Sequence, residues 1–256
     1  MWALISDIHG NLEALNTVLQ DIAGKGIPNE RILCLGDVVG YGPDPVACVD
    51  AAVNWKLTLR GNHDEAVVNE ALGFNPLARE AIDWTRSQLK PGWLSGRQKK
   101  ARWEFLKSLP LTYNLDKALL VHGSPRDPTM EYILRSECED LLGEVPAKIK
   151  DIFSRFETLC FVGHTHDPGI ITEESKFHTP KEIDYHYEFK EGRKYIVNVG
   201  SVGQPRDGDN RACFVTFDGK KLWYHRLEYD FGTTQNKVRG IPSLDPRIAE
   251  RLAIGK

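Results

Sequence analysis

The order of apolar runs along the 256-residue chain points to an α/β fold, with two β-sheets packed as a sandwich, helices on the outside and one helical insertion. Three observations carry this. The first sixty residues alternate strand, helix, strand, helix, strand, which favours parallel pairing through right-handed crossovers. Residues 64–109 then turn helical. The last third is a run of short β-like segments with a tight Asp218-Gly219 turn between two of them, as expected of a second sheet packed on the first.

Taken in order, Trp2-Ala3-Leu4-Ile5-Ser6 is a buried strand. Asn11 to Gly24 carries Leu12, Leu15, Leu19 and Ile22 at three- and four-residue steps, the mark of an amphipathic helix, with Gly24 placed as its C-cap. Arg31 to Leu35 is a second strand, Pro45 to Val53 a short helix with proline in its first turn, and Lys56 to Leu59 a third strand. The insertion from Asp64 to Leu109 offers Trp84, Leu89, Trp103, Phe105, Leu106 and Leu109 for burial and is broken at Pro91-Gly92. Strands return at Leu111 to Leu115 and Ala118 to Val121. A helix over Ala147 to Phe156 and strands at Thr158 to Val162, Tyr195 to Val199, Ala212 to Phe217 and Leu222 to Glu228 follow. The last twenty residues, about 236–256, contain Gly240, Pro242 and Pro246 and are expected to form a weakly packed tail on one domain spanning 1–256.

Composition narrows the class. Lys+Arg 33 against Asp+Glu 36 gives a formal charge of -3, which argues against a stable nucleic-acid complex or a polybasic membrane tether. Asp7 and His9 interrupt the apolar start too early for a secretory signal, and no run is long enough to span a bilayer. The five cysteines are odd in number, dispersed and without a CxxC pair, so they are expected to be reduced and mostly buried, in a cytoplasmic protein.

The polar residues fall at strand ends. Ser6 runs into Asp7-Ile8-His9-Gly10, Leu35 into Gly36-Asp37, and Leu59 into Arg60-Gly61-Asn62-His63-Asp64. Val121 runs into His122-Gly123, and Val162 into Gly163-His164-Thr165-His166. Functional groups of open parallel sheets gather outside the carboxyl ends of the strands, so five strands deliver Asp, His and Asn to one edge. An oxygen and imidazole set without thiolates suits first-row divalent ions, and it is too large for one tetrahedral zinc. Two neighbouring ions can hold the attacking and leaving oxygens of a displacement at phosphorus.

These motifs, in this order and context, resemble those of the calcineurin-like metallophosphoesterases, from Trp2 to about Arg226. The stretches Ile5 to Asn11, Gly36 to Pro43 and Asn198 to Arg206 resemble the prokaryotic branch related to diadenosine tetraphosphatases and Ser/Thr protein phosphatases. The resemblance implies that Asp7, His9 and His166 bind one ion, that Asp37 bridges, and that Asn62, His122 and His164 hold the other. It implies His63 as general acid, with Asp64 as its orienting carboxylate, and a metal-shared hydroxide as nucleophile. Arg60 and Arg206 are candidates for gripping phosphate. The ions expected are Mn, Fe, Zn, Co or Ni, with Mn or Fe/Zn favoured. The substrate expected is a small phosphorylated molecule, nucleotide-derived compounds ranking first. Oligomeric state is not set by the sequence.

Other readings are narrower. Gly200, Ser201 and Gly203 either cradle a phosphate or make a tight turn, and Tyr41 packs the loop after Asp37. His178, His186 and His225 lie outside the motifs and receive structural or surface roles. A protein phosphatase is disfavoured because the branch's Asp-Arg-Gly after the second motif is absent from Asp37-Val38-Val39-Gly40. A non-catalytic metal-binding scaffold on the same fold is the other alternative, opposed by the complete ligand set.

Overall fold

Strands β1 (Trp2–Ile5) and β2 (Ile32–Cys34) are apolar on both faces and almost wholly buried, as parallel strands covered from two sides must be. Between them runs α1 (Leu12–Gly24), capped by the Asn11 side chain, which accepts from the Ala14 amide; Ala14, Leu15, Val18 and Ile22 form its buried stripe. Gly24 is the last helical residue and not the cap: Lys25 is the cap, and Gly26, at φ 70°, takes the left-handed turn. Helix α2 (Pro45–Ala52) leads to β3 (Leu57–Thr58). Helices α3 (Asn62–Val68), α4 (Pro76–Leu89) and α5 (Arg97–Ser108) fill the segment expected to be helical, with Pro91-Gly92 between the last two. Then come β4 (Thr112–Leu115), β5 (Ala118–Val121), α6 (Ala147–Phe153) and β6 (Leu159–Val162). Strands β7 (Gly169–Thr172), β8 (Phe177–His178) and β9 (His186–Glu188) precede β10 (Tyr195–Asn198), β11 (Ala212–Phe217) and β12 (Lys221–Leu227). Helices α7 (Phe231–Arg239) and α8 (Pro246–Ile254) close the chain. This computed structural model describes residues 1–138 and 144–256, and among them no helix is long and apolar enough to cross a membrane.

The strands form two mixed six-stranded sheets, ordered β3-β2-β1-β11-β12-β9 and β4-β5-β6-β10-β7-β8. In the first, β1, β2 and β3 are parallel, with Ala3 opposite Ile32 and Leu33 opposite Leu57; β11 joins β1 antiparallel. In the second, β6 is parallel to both β5 and β10. Strand alternation sorts the side chains into layers. Leu4, Leu33, Phe161 and Val197 meet between the sheets, Ala3, Ile5 and Cys34 face α1 and α2, and Cys160, Val162 and Ile196 face α6. All five cysteines are buried.

The C-terminal segment corrects the expectation of a weakly packed tail. Val238, Leu244, Ile248 and Ala249 are buried against Ala78 and Ala81 of α4 and against Tyr41. Pro246 starts a helix: it sits in the first turn of α8, and the Asp245 carboxylate in front of it accepts from the Arg247 amide. Strands β7, β8 and β9, of four, two and three residues, are too short to show a period in the sequence.

Candidate metal centre

Parallel pairing puts the carboxyl ends of β1, β2 and β3 on one edge of the first sheet, and those of β5, β6 and β10 on the same edge of the second. Asp7, His9, Asp37, Asn62, His122, His164 and His166 hang from these ends and are all buried. Five of them leave the strands in the left-handed region: Asp7 (φ 55°), His9 (50°), Asp37 (53°), His164 (65°) and His166 (59°). For residues other than glycine this costs of order 1 kcal/mol or more each, and such concentration of strain is characteristic of functional sites.

The side chains converge in two overlapping groups. Asp7, His9 and His166 present ligand atoms within 4.8 Å of one another, and so do Asp37, His122 and His164. In the first, His166 Nε2 lies 3.1 Å from both Asp7 Oδ1 and His9 Nε2. In the second, His122 Nε2 lies 3.1 Å from Asn62 Oδ1 and from His164 Nδ1. Asp37 Oδ2 stands between them, 3.6 Å from His9 Nε2 and 3.4 Å from His122 Nε2, and Asp37, His9 and His63 form a third group of the same compactness.

Whether this set fits cations is decided by where its hydrogens are. A carbonyl oxygen only accepts, so the ring nitrogen facing one must carry the proton. His122 Nδ1 donates to Leu35 O, His164 Nε2 to Met130 O, and His166 Nδ1 to Gln204 O. In the neutral rings, the opposite nitrogens therefore point lone pairs inward. At His166 that lone pair faces Asp7 Oδ1, which has no hydrogen-bond partner. Buried acceptors facing one another at 3.1 Å are stable with a cation between them, and imidazoles oriented from behind by carbonyls are characteristic of metal sites. The donor set fits a pair of divalent ions.

Charge follows the same logic. Burial opposes ionisation throughout, yet His166 outweighs it at Asp7, and His122 and His63 outweigh it at Asp37, so both carboxyls are held well below their usual range. Burial prevails at His9, at His63, lowered to about 4, and at His164, lowered to about 3. At His122 burial is overcome by the Asp37 carboxylate, which raises it to about 9. Ionised carboxylates among mostly neutral imidazoles are the state that metal binding requires.

The calcineurin-like phosphoesterase superfamily domain, as a family model, matches residues 1–221. The chain belongs to this superfamily. It is 38% identical to an uncharacterized protein of Methanocaldococcus jannaschii over 267 aligned positions, covering 100% of this chain and 98% of that one. A metallophosphoesterase from Sphaerobacter thermophilus superposes with a TM-score of 0.79 at 36% identity, covering 99% of this chain and 98% of the other. A hypothetical protein from Pyrococcus horikoshii shares the fold, with a TM-score of 0.73 at 21% identity, over 100% and 98% of the two chains. Members of the superfamily normally use a dinuclear metal site, and the clustered Asp and His side chains of this chain are its candidates.

Within this calcineurin-like phosphoesterase chain, the groups around the cluster divide unevenly. His63 is buried beside it, its ring packed on Tyr41, His9 and the edge of Phe74, with Nδ1 unpartnered. Its room comes from Gly40, where a Cβ would lie 2.7 Å from Nδ1 of both His63 and His9. Asp64 does not orient that ring. Its carboxylate accepts from the amides of Asp37 (2.8 Å), Gly61 (3.1 Å) and Val39 (3.3 Å), so it holds the Asp37 loop against the start of α3. Burial and the Asp37 charge push it up to about 7, against the pull of the Gly61 and Val39 amides.

The two arginines part company. Arg60 is tied to Glu65 (2.8 Å) and to the Lys107 carbonyl (2.6 Å), so its expected grip on phosphate is corrected to a brace between α3 and α5. Arg206 sits over the Tyr41 ring at 5.8 Å, and its positive charge is among the causes lowering His63 and His166, after burial. Ser201 and Gly203 make a turn rather than a cradle: Ser201 Oγ and the Gly203 amide both donate to Asp7 O, at 2.8 and 2.9 Å. The sequence reading missed Gln204 and Tyr132. Gln204 follows the glycine turn and offers its carbonyl to His166; Tyr132 stacks on His164 and lies in the short apolar run Tyr132-Ile133-Leu134, which carries no site signal. His186 and His225 lie on β9 and β12, His225 bonded to Thr216.

Proposed function

We propose that this chain is a cytoplasmic hydrolase of phosphoester or phosphoanhydride bonds in small phosphorylated substrates, nucleotide-derived ones foremost, with two divalent ions as cofactor. The observation that carries the reading is Asp37 Oδ2 standing between two ligand groups, 3.6 Å from His9 and 3.4 Å from His122. Asp7, His9 and His166 would hold one ion, Asn62, His122 and His164 the other, with Asp37 shared. Bound there, divalent ions supply Lewis-acid polarisation of phosphate oxygens and a water nucleophile active at neutral pH. The residues do the rest. Arg206 neutralises and orients the phosphate; His63, lowered to about 4 by burial, takes up a proton when the charge of a bound phosphate offsets that burial and passes it to the leaving oxygen, while Phe74 and Tyr41 shield its ring from water. Manganese, or iron with zinc, is the metal proposed.

The test is a turnover screen of metal-stripped protein reloaded with Mn²⁺ on p-nitrophenyl phosphate, bis-p-nitrophenyl phosphate and diadenosine tetraphosphate. Hydrolysis restored by Mn²⁺, abolished in Asp37→Ala and retained by His63→Ala mainly for activated leaving groups is the expected pattern. Stoichiometric metal binding with no turnover of any substrate overturns it in favour of a scaffold.

A further inference from the structure

A short strap across the mouth of the site has its apolar side turned out. From Met130 to Leu134 exposed and less exposed residues alternate, as in an extended segment. Ile133 is buried in the cluster that holds Val121, Ile149 and Ile152, while Met130, Tyr132 and Leu134 are 44%, 42% and 43% exposed. A surface segment ordinarily shows its polar side to water, so three apolar side chains in sequence on the outer side are the informative observation.

The strap is anchored to the cluster. His164 Nε2 donates to Met130 O at 3.2 Å, and the Tyr132 ring lies on the His164 imidazole with centroids 3.8 Å apart and planes at 15°. That stack occupies one face of Tyr132, and the residue is still 42% exposed. Arg206, whose amide donates to His166 O at 3.2 Å, flanks the same cluster, and its charge opposes the burial that raises the Tyr132 phenol.

We infer that Met130, Tyr132 and Leu134 form the leaving-group subsite, and that it takes an aromatic ring, a nucleobase or another aryl group, stacked on the other face of Tyr132. This rests on the reading of the site as a phosphoester hydrolase. A third ring extends the His164–Tyr132 stack in the offset geometry aromatic rings prefer, and the flexible Met130 thioether adapts to its edge. An aliphatic leaving group gains no stacking there, so the platform selects for nucleotides and aryl esters over sugar and alkyl phosphates.

The experiment is isothermal titration of the Mn²⁺-reconstituted protein with adenosine 5′-monophosphate, ribose 5-phosphate and inorganic phosphate, with metal content of every variant measured by mass spectrometry. Base stacking on an aromatic side chain predicts that the wild type prefers adenosine 5′-monophosphate over ribose 5-phosphate by about tenfold or more. In Tyr132→Ala that ratio falls to near one, and in Tyr132→Phe it is kept. A disturbed His164 shifts all three ligands together and leaves the ratio intact, so equal shifts in Tyr132→Ala overturn the proposal, as do equal affinities in the wild type. Both organic ligands are titrated as their non-hydrolysable phosphonate analogues, so binding is read without turnover, and a protein that shows the ratio but hydrolyses nothing refutes the hydrolase reading and leaves the stacking site standing. One that hydrolyses esters but shows no ratio refutes the stacking site alone.

Discussion

Gly61→Ala isolates how tightly the Asp37 carboxylate, proposed to bridge, is packed. Gly61 has φ -88°, a conformation that alanine adopts freely, so the substitution adds a methyl group without backbone strain. That methyl would lie 2.0 Å from Asp37 Oδ1, 2.4 Å from the Asp37 amide nitrogen and 2.7 Å from its Cγ. Ordinary carbon contacts are about 3.5 Å, so the start of α3 and the Asp37 loop must part by about 1 Å or more. Overpacking of this kind costs roughly 1–3 kcal/mol. A displacement of about 1 Å at a catalytic group costs on the order of 100-fold in rate. The control is Gly24→Ala, at the last residue of α1 with nothing within 4 Å, which should stabilise by about 0.4–1 kcal/mol. Thermal unfolding with and without chelator, together with calorimetric Mn²⁺ titration, measures both terms. Wild-type metal affinity and turnover in Gly61→Ala would refute the packing argument and the bridging role of Asp37 with it.

Three further outcomes are expected. Arg206→Ala should raise KM for every phosphate ester about tenfold or more, whereas Arg60→Ala, which removes a partly exposed ion pair with Glu65 and a bond to the Lys107 carbonyl, should stay within about twofold, as steady-state kinetics will show. Ser201→Ala removes a donor to Asp7 O and an acceptor for the Gln204 amide, so chemical denaturation should show a loss of about 1–3 kcal/mol, with metal affinity falling about tenfold. His225 is lowered from 6.5 to about 4, by burial first and the Lys25 charge second, with Asp21 opposing. Its neutral form is the one that the fold accepts, so its contribution to stability is complete above pH 6.5 and is lost as pH falls towards 4. Melting temperatures of wild type and His225→Gln at pH 7.5 and 5 should therefore converge at the lower pH if the variant is the less stable at the higher.

Much of the site was legible because strand ends are legible. A short apolar run followed by Gly-Asp or Gly-His announces where a parallel strand stops, and parallel topology then brings Asp37, Asn62, His122 and His164 to one edge. What lies behind those residues was not. Asp64 stands three residues after Gly61 at the start of α3, and an acidic residue at the third helical position is a capping signal, which is the role its carboxylate plays in bonding the Gly61 amide. Arg60 lies five residues before Glu65, a spacing with no helical or strand meaning, so their pairing is a product of the tertiary fold. The carbonyls of Leu35, Met130 and Gln204 that fix the imidazoles are backbone atoms, which every residue offers and no sequence pattern marks. The C-terminal helices carried their signal, Asp245 before Pro246, but the neighbouring Gly240 and Pro242 pointed the other way.

The cluster straddles the two sheets, and that has a temporal consequence. Asp7, His9, Asp37 and Asn62 come from the sheet of β1, β2 and β3, whereas His122, His164 and His166 come from the sheet of β5 and β6. During synthesis the first four ligands emerge well before the last three, and a chain made from its N-terminus carries half a chelating site until residue 166 has left the ribosome. On the proposed reading, capture of two ions would be confined to the end of folding, when the sheets have closed on each other. From that moment the ions would act as rivets between segments as distant as Asp7 and His166, and the strand-end loops of both sheets should exchange their amide hydrogens more slowly in the loaded protein than in the stripped one.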